Sequence, residues 1–182
     1  NCFHIFDTEN ENSTLFLKGL EKYNFVSDIG DADFILGCTP FHSKKLLDYL
    51  PILDIAAKKK LSFICANPDF ETIESNSKNF FFCMGTIAEL YNNIGGEVII
   101  LGKPSIEIYS TVLKNFKDVN NSKILAIGDS IYHDIKGANN FGIDSLLITS
   151  TGIHHSFFSK ELPKWENSKN SLKKLNILPK YI

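Results

Sequence analysis

A chain of 182 residues holds one full domain or two small ones. With 43% hydrophobic and 22% charged residues and a formal net charge of -2, its composition is that of a soluble globular protein and gives no reason to expect a nucleic-acid partner. No apolar run reaches the roughly 18 residues of a membrane span, no signal peptide is visible, and the four cysteines (Cys2, Cys38, Cys65, Cys83) form no CxxC pair, so buried reduced thiols in a cytoplasmic protein are expected, with no membrane partner.

Along the chain, short apolar runs alternate with segments of helical period. Cys2–Phe6, Phe34–Gly37, Leu61–Cys65, Val98–Leu101, Ile124–Ile127 and Ser145–Ile148 read as buried strands. The stretch Asn24–Gly30 is mixed and polar and reads as a loop into Phe34–Gly37. Pro51 divides Lys44–Lys60 into two helices, and Lys58-Lys59-Lys60 reads as a solvated helix end. Met84, Ile87, Leu90, Tyr91 and Ile94 share one helical face that stops at Gly95-Gly96. Ile106, Tyr109, Val112, Leu113 and Phe116 form a second stripe, with Pro104 suited to the first turn, and Ile135, Ala138 and Phe141 form a third that ends at Gly142. Leu172, Leu175, Ile177 and Leu178 are expected to dock the tail on the core. This alternation predicts an α/β fold with a parallel sheet, a Rossmann-like three-layer arrangement, whose ligands lie at the carboxyl ends of strands.

Two strand ends carry the chemistry. Val98–Leu101 runs into Gly102-Lys103-Pro104. Ile124–Ile127 runs into Gly128-Asp129-Ser130 and then Ile131-Tyr132-His133-Asp134. Alone, Lys103 reads as a surface charge and Asp134 as a helix N-cap. Together, on adjoining strands, they would bring one ammonium and two carboxylates into one crevice. Carboxylates there suit Mg²⁺, a hard ion that prefers oxygen ligands, and a lysine would offset phosphoryl charge. Gly102 and Gly128 would let the backbone approach closely.

Gly102-Lys103-Pro104, Gly128 through Ile135 and Gly137-Ala138 resemble motifs III and IV of the haloacid dehalogenase (HAD) superfamily phosphatases, nearest the class IIA, NagD-like group. Cys65-Ala66-Asn67-Pro68-Asp69 resembles a segment near the end of that group's cap, Gly85 to Gly96 the helix leading back to the core, and Thr149 to His154 the loop after the next strand. The likeness runs from about residue 30 to 155. It implies an α/β cap over residues 1–97 and the C-terminal part of the HAD core over 98–182. Lys103 would bridge a nucleophilic aspartate and a phosphate oxygen. Asp129 and Asp134 would serve Mg²⁺, Ser130 would support the loop, and Asn67 and Asp69 would face a small phosphate ester. The implied activity is hydrolysis of a phosphomonoester through an aspartyl-phosphate, and the cap offers a face for homo-oligomerisation.

The family's opening Asp-x-Asp after an apolar strand has no match. Asp31-Ala32-Asp33 precedes a strand, and Cys2–Phe6 runs into Asp7-Thr8-Glu9, with Glu9 where an aspartate belongs. The expectation is that the nucleophile lies upstream, that this chain alone is inactive, and that open sheet edges and apolar surface mark the missing strands. A catalytically inactive HAD-derived binding protein is the alternative. An esterase built on Gly128-Asp129-Ser130 lacks a later Asp-x-x-His, a receiver domain has its lysine after the aspartate, and no GxGxxG follows a strand. His4 reads as a satisfied strand residue, His42 as a loop residue, His133 as a filler, and His154 and His155 as rim residues.

Overall fold

The protein is described by a computed structural model at residues 1–9, 12–73, 80–116, 118–154, 169–170, 172–174 and 176–182. His155 and Leu175 therefore lie outside the described residues. The chain divides into two compact units, Asn1–Gly102 and Lys103–Ile182. Among the described residues, no helix is long and apolar enough to cross a membrane.

The first unit contains β1 (Cys2–Ile5), α1 (Ser13–Phe16), β2 (Phe25–Val26), β3 (Phe34–Gly37), α2 (Leu50–Lys58), β4 (Ser62–Cys65), β5 (Glu71–Ile73), β6 (Phe80–Phe82), α3 (Met84–Asn93) and β7 (Glu97–Ile100). Five of these strands form one parallel sheet in the order β2-β1-β3-β4-β7. Pairing is in register across it: Gly37 lies beside Cys65, and Cys65 beside Ile100. The short apolar runs become strands because helices bury them, the normal condition of a parallel sheet. α2 contributes Leu53 and Ala56 to the core, and α3 contributes Met84, Ile87, Ala88 and Tyr91. A Cβ at Gly37 would lie 2.5 Å from the Phe63 ring and 2.8 Å from Met84 Sδ, so α3 packs where the strand has no side chain. Buried hydroxyls find partners: Tyr91 donates to the Leu61 carbonyl at 2.6 Å, and Tyr49 accepts from the Phe41 amide at 2.8 Å.

Several expectations are corrected here. Phe25–Val26 is a strand, paired with β1, although its surroundings are polar. β5 and β6 form an antiparallel hairpin that the sequence reading missed. Lys59 is not merely solvated, because its ammonium bonds the Gly30 and Ala32 carbonyls and ties the end of α2 to the 3₁₀ turn Ile29–Asp31. Pro51 does mark a junction: a 3₁₀ turn over Leu46–Tyr49 meets α2, with Pro51 in its first turn. All four cysteines are free and buried, and burial pushes their thiols up, to about 11 for Cys2, Cys65 and Cys83 and about 12 for Cys38.

The second unit contains α4 (Ile106–Leu113), β8 (Leu125–Gly128), a π-helical turn Ile131–Ile135, α5 (Lys136–Phe141) and β9 (Asp144–Leu147). β8 and β9 form a parallel pair in register from Leu125–Asp144 to Gly128–Leu147. Ile131, Ile135, Leu147, Leu172 and Ile177 make its core, with Leu178 packed against it, so the tail docks as expected at those described positions. The outer side of β8 is open: Leu125 is 44% and Ile127 63% exposed, and an apolar groove of about 280 Å³ runs between β8 and Ile108, Val112 and Leu113 of α4.

His4 is not the satisfied residue expected. Its ring lies among Phe6, Phe16 and Phe25 at centroid distances of 5.1, 6.2 and 5.7 Å, and its buried Nε2 has no hydrogen-bond partner among the described residues. Burial lowers its pKa below 6.5. The unfolded chain therefore takes up this proton at higher pH than the folded chain. The stability contributed by the neutral ring is present above about 6.5 and is lost as pH falls through the lowered folded value. Prediction: melting followed by circular dichroism occurs at lower temperature near pH 5 than near pH 7.5, and His4→Phe narrows that gap. An undiminished gap in His4→Phe would rule His4 out as its source.

Candidate functional site

In the second unit the site grows from one glycine–aspartate step. β8 ends at Gly128, and the chain leaves through Asp129 and Ser130 into the π-helical turn, where the amides of Asp134 and Ile135 both bond the Ser130 carbonyl at 2.9 and 3.1 Å. This wide turn carries Asp134 back under the strand end. Its Oδ2 accepts from the Ser130 amide at 3.1 Å, and its Oδ1 accepts from Lys103 Nζ at 2.5 Å. Asp134 is thus not an N-cap; Ser130 holds that position. Asp134 is 7% exposed, whereas Lys103 is half-exposed, so one end of the pair is buried and the other reaches solvent. A Cβ on Gly128 would lie 2.1 Å from the Asp134 carboxyl carbon, so this glycine makes room for the carboxylate.

Asp129 is held from the other side. Its Oδ2 accepts from the Ile153 amide at 2.9 Å, in the loop after β9. Gly152 there has φ +86°, and a Cβ on it would lie 2.1 Å from that same oxygen. Ser130 Oγ bonds His133 Nδ1 at 2.9 Å, so His133 is a partner of the loop rather than a filler. His154 packs edge-on to Tyr132 at 6.0 Å; burial lowers its pKa, while the charge of Asp129 pulls the other way. Tyr109 of α4 donates to the Asp134 carbonyl at 3.3 Å, and burial, then the Asp134 charge, raises its pKa. From the sequence Tyr109 reads only as part of a helical stripe, and Gly152 only as part of the Thr149 to His154 loop, neither as a site residue. The signal for Gly152 was present, a glycine just past a strand end.

Lys103 arrives by a different route from the one expected. β7 belongs to the five-stranded sheet and β8 to the separate pair, so the two motifs do not follow adjoining strands. The link Gly102-Lys103-Pro104 carries the lysine to Asp134 instead. Gly102 has φ +114°, and a Cβ on it would lie 3.0 Å from Pro68 and 3.1 Å from the Ala66 carbonyl. Pro104 lies ahead of the helix rather than in its first turn, because Ser105 is the N-cap, its hydroxyl accepting from the Glu107 amide at 3.4 Å. Asn67 and Asp69 belong to the first unit, at the exit of β4, where both line a cavity. Among the described residues, no three His, Cys, Asp or Glu side chains cluster as a metal cage. The donor chemistry is nonetheless of the kind Mg²⁺ takes, carboxylate oxygens from Asp129 and Asp134 on either side of one strand-end loop, with waters and phosphate oxygens to complete the shell.

Residues 100–170 match the family model for HAD-hydrolase-like proteins. A haloacid dehalogenase-like hydrolase from Brucella suis 1330 is similar, with 32% identity and a TM-score of 0.70, over 84% of this chain and 58% of that one. A p-nitrophenyl phosphatase from Archaeoglobus fulgidus shares the fold at a TM-score of 0.67 and 19% identity, over 98% of this chain and 63% of that one. The chain thus spans about three fifths of the length of these structures. A riboflavin kinase from Methanococcus maripaludis is 28% identical over 120 residues, 57% of this chain and 94% of that protein.

The packing predicts an order of costs in urea unfolding. Gly142→Ala, with φ +79° and open space, should cost about 1 kcal/mol, the price of a left-handed alanine. Gly128→Ala, which drives a methyl into the Asp134 carboxylate, should cost about 3 kcal/mol or more. Equal losses would show that Asp134 does not pack under Gly128.

Proposed function

Since this chain is haloacid dehalogenase-like in fold and in its C-terminal segment, we propose that it is part of a Mg²⁺-dependent phosphatase acting on a small phosphomonoester. In this reading the unit Asn1–Gly102 is the cap and Lys103–Ile182 a portion of the catalytic core. One observation carries it: the buried Asp134 carboxylate takes the Lys103 ammonium on one oxygen and the Ser130 amide on the other, one residue from Asp129, whose own carboxylate is fixed by the Ile153 amide.

The residues divide the work by chemistry. Asp129 would hold the cation, and Asp134, its oxygens bonded to Lys103 and the Ser130 amide, would hold a metal-bound water or orient the shell; when bound, Mg²⁺ would offset charge on the phosphoryl oxygens. The half-exposed Lys103, oriented by Asp134, presents a second positive charge to a phosphate oxygen. Ser130, tied to His133, and the Gly152-Ile153 turn fix the loops that carry these groups. The nucleophilic aspartate, and the aspartyl-phosphate formed on it, belong to residues outside 1–182. Asp31-Ala32-Asp33 is no substitute, since it enters β3 through a 3₁₀ turn instead of leaving a strand. The open side of β8, with Leu125 and Ile127 exposed, supports further strands beside it. The substrate is a small phosphate ester.

The test is turnover of p-nitrophenyl phosphate with and without Mg²⁺. The 182-residue chain should show none, and a protein that includes the upstream coding sequence should be active. In that longer protein Asp129→Asn should lower turnover by orders of magnitude, because a metal ligand loses its charge. Lys103→Ala should lower it similarly, with Lys103→Arg recovering part. Unchanged turnover in Asp129→Asn would remove that residue from the site, and Mg²⁺-dependent activity of the 182-residue chain alone would sink the placement of the nucleophile.

A further inference from the structure

The Tyr109 hydroxyl has no part in the chemistry set out for Asp129, Asp134 and Lys103. Tyr109 stands on α4, and its ring stacks on Phe141 of α5 at 5.5 Å and 20°. That contact joins the two helices, and a phenylalanine would make it equally well. The hydroxyl does something else. It reaches the backbone of the π-helical turn and donates to the Asp134 carbonyl at 3.3 Å. Gly137 makes room for it: a Cβ there would lie 2.8 Å from a Tyr109 ring carbon and closer still to the hydroxyl oxygen.

The choice of acceptor matters, because Asp134 is also the partner of Lys103. Lys103 and Tyr109 belong to one stretch, residues 103–109, in which Ser105 caps α4. Both ends of this stretch hold the same residue. The lysine takes the Asp134 carboxylate, and the tyrosine takes the Asp134 carbonyl, so chain and contacts close into a ring. The Ser130 amide holds the second carboxylate oxygen and keeps the carboxylate from turning.

A closed ring of this kind fixes a distance. Lysine carries its charge on a flexible four-carbon stem, so the ammonium stands where its root and its partner together place it. The root here is the start of residues 103–109, and the partner is Asp134. The Tyr109 hydroxyl sets one against the other. The lysine side chain is 50% exposed, so packing does little to hold it.

We infer that Tyr109 is a positioning residue: through Asp134 it sets where the Lys103 ammonium stands. The contacts lie within the second unit, while the consequence for turnover rests on the phosphatase reading. At 3.3 Å the hydroxyl bond is long for its kind, so its loss costs far less rate than the loss of Lys103 itself.

Two measurements test this. The first is NMR of the 182-residue chain with its lysines isotopically labelled at Cε. Lys103 is assigned by the loss of its signal in Lys103→Arg, and the urea-unfolded chain gives the position of a released lysine. In Tyr109→Phe, which keeps the ring, the Lys103 resonance should move toward the released position. Circular dichroism should be unchanged, and Lys180, paired with Asp144 in the same unit, should stay where it is. Gly137→Ala drives a methyl into the hydroxyl; it should move Lys103 the same way and serves in place of Tyr109→Phe if that variant does not fold. The second measurement is turnover of p-nitrophenyl phosphate by the longer protein that includes the upstream coding sequence. Tyr109→Phe should lower kcat about fivefold to tenfold, and the same change added to Lys103→Ala should lower it by less than about twofold more. A Lys103 resonance at its parent position in either folded variant overturns the inference, and so does an equal loss of kcat in both backgrounds, the mark of a merely structural tyrosine. A longer protein with Tyr109 intact and no Mg²⁺-dependent turnover overturns the phosphatase reading alone, and the Lys103 resonance then decides the positioning by itself.

Discussion

Parallel strands paired in register must all leave the sheet at the same edge, and the chemistry of this protein follows from that constraint. Because Gly37, Cys65 and Ile100 lie side by side, the residues after them emerge together: Thr39 and His42 from β3, Asn67 and Asp69 from β4, Gly102 from β7. The smaller pair obeys the same rule. Gly128 lies beside Leu147, so Asp129 and the Thr149–His154 loop emerge as neighbours, and the Ile153 amide meets the Asp129 carboxylate. Carboxylates and amides that would be costly between the strands gather where water and ligands reach them.

Within the second unit, Asp134 links three pieces of chain: the β8 exit through Gly128, the π-helical turn through Ser130, and the interdomain link through Lys103. An exposed lysine–carboxylate pair contributes about 0–1 kcal/mol. Here the lysine is 50% exposed, so the Coulomb gain is screened on its side, but the buried carboxylate makes the geometry definite. The pair therefore does more for the orientation of Lys103 than for stability. Lys103 is held by its partner while its other face remains wet. The π-helical turn places this carboxylate: the Asp134 and Ile135 amides share the Ser130 carbonyl while the Asp134 side chain reaches back to the Ser130 amide.

The strands that carry motifs were legible because apolar runs bounded by glycine and polar residues leave few alternatives. β3 falls at its expected residues, and the others shift by a residue or so. That Lys103 and Asp134 come together was anticipated from residue type and order after strands. The route by which they meet was not, since nothing in Val98–Lys103 tells which sheet its strand will join. β2 was missed because two residues borrow their strand character from β1 alone. The hairpin was missed because Phe80-Phe81-Phe82 lacks alternation. Pro104 was misplaced by one motif, since Ser105 satisfies the first amides of α4 and makes a proline start unnecessary. Asp7 looked like a defective copy of a catalytic motif; its burial and its bonds to His42 are tertiary facts, created when β1 and β3 come side by side.

The cysteines occupy only one half of the molecule. All four stand within residues 1–102, each buried with its thiol pushed well above neutral pH, and the C-terminal unit contains none. Thiolate chemistry therefore waits for the first unit to open. An alkylating reagent therefore acts as a clock for the opening of that unit, without any label being engineered in.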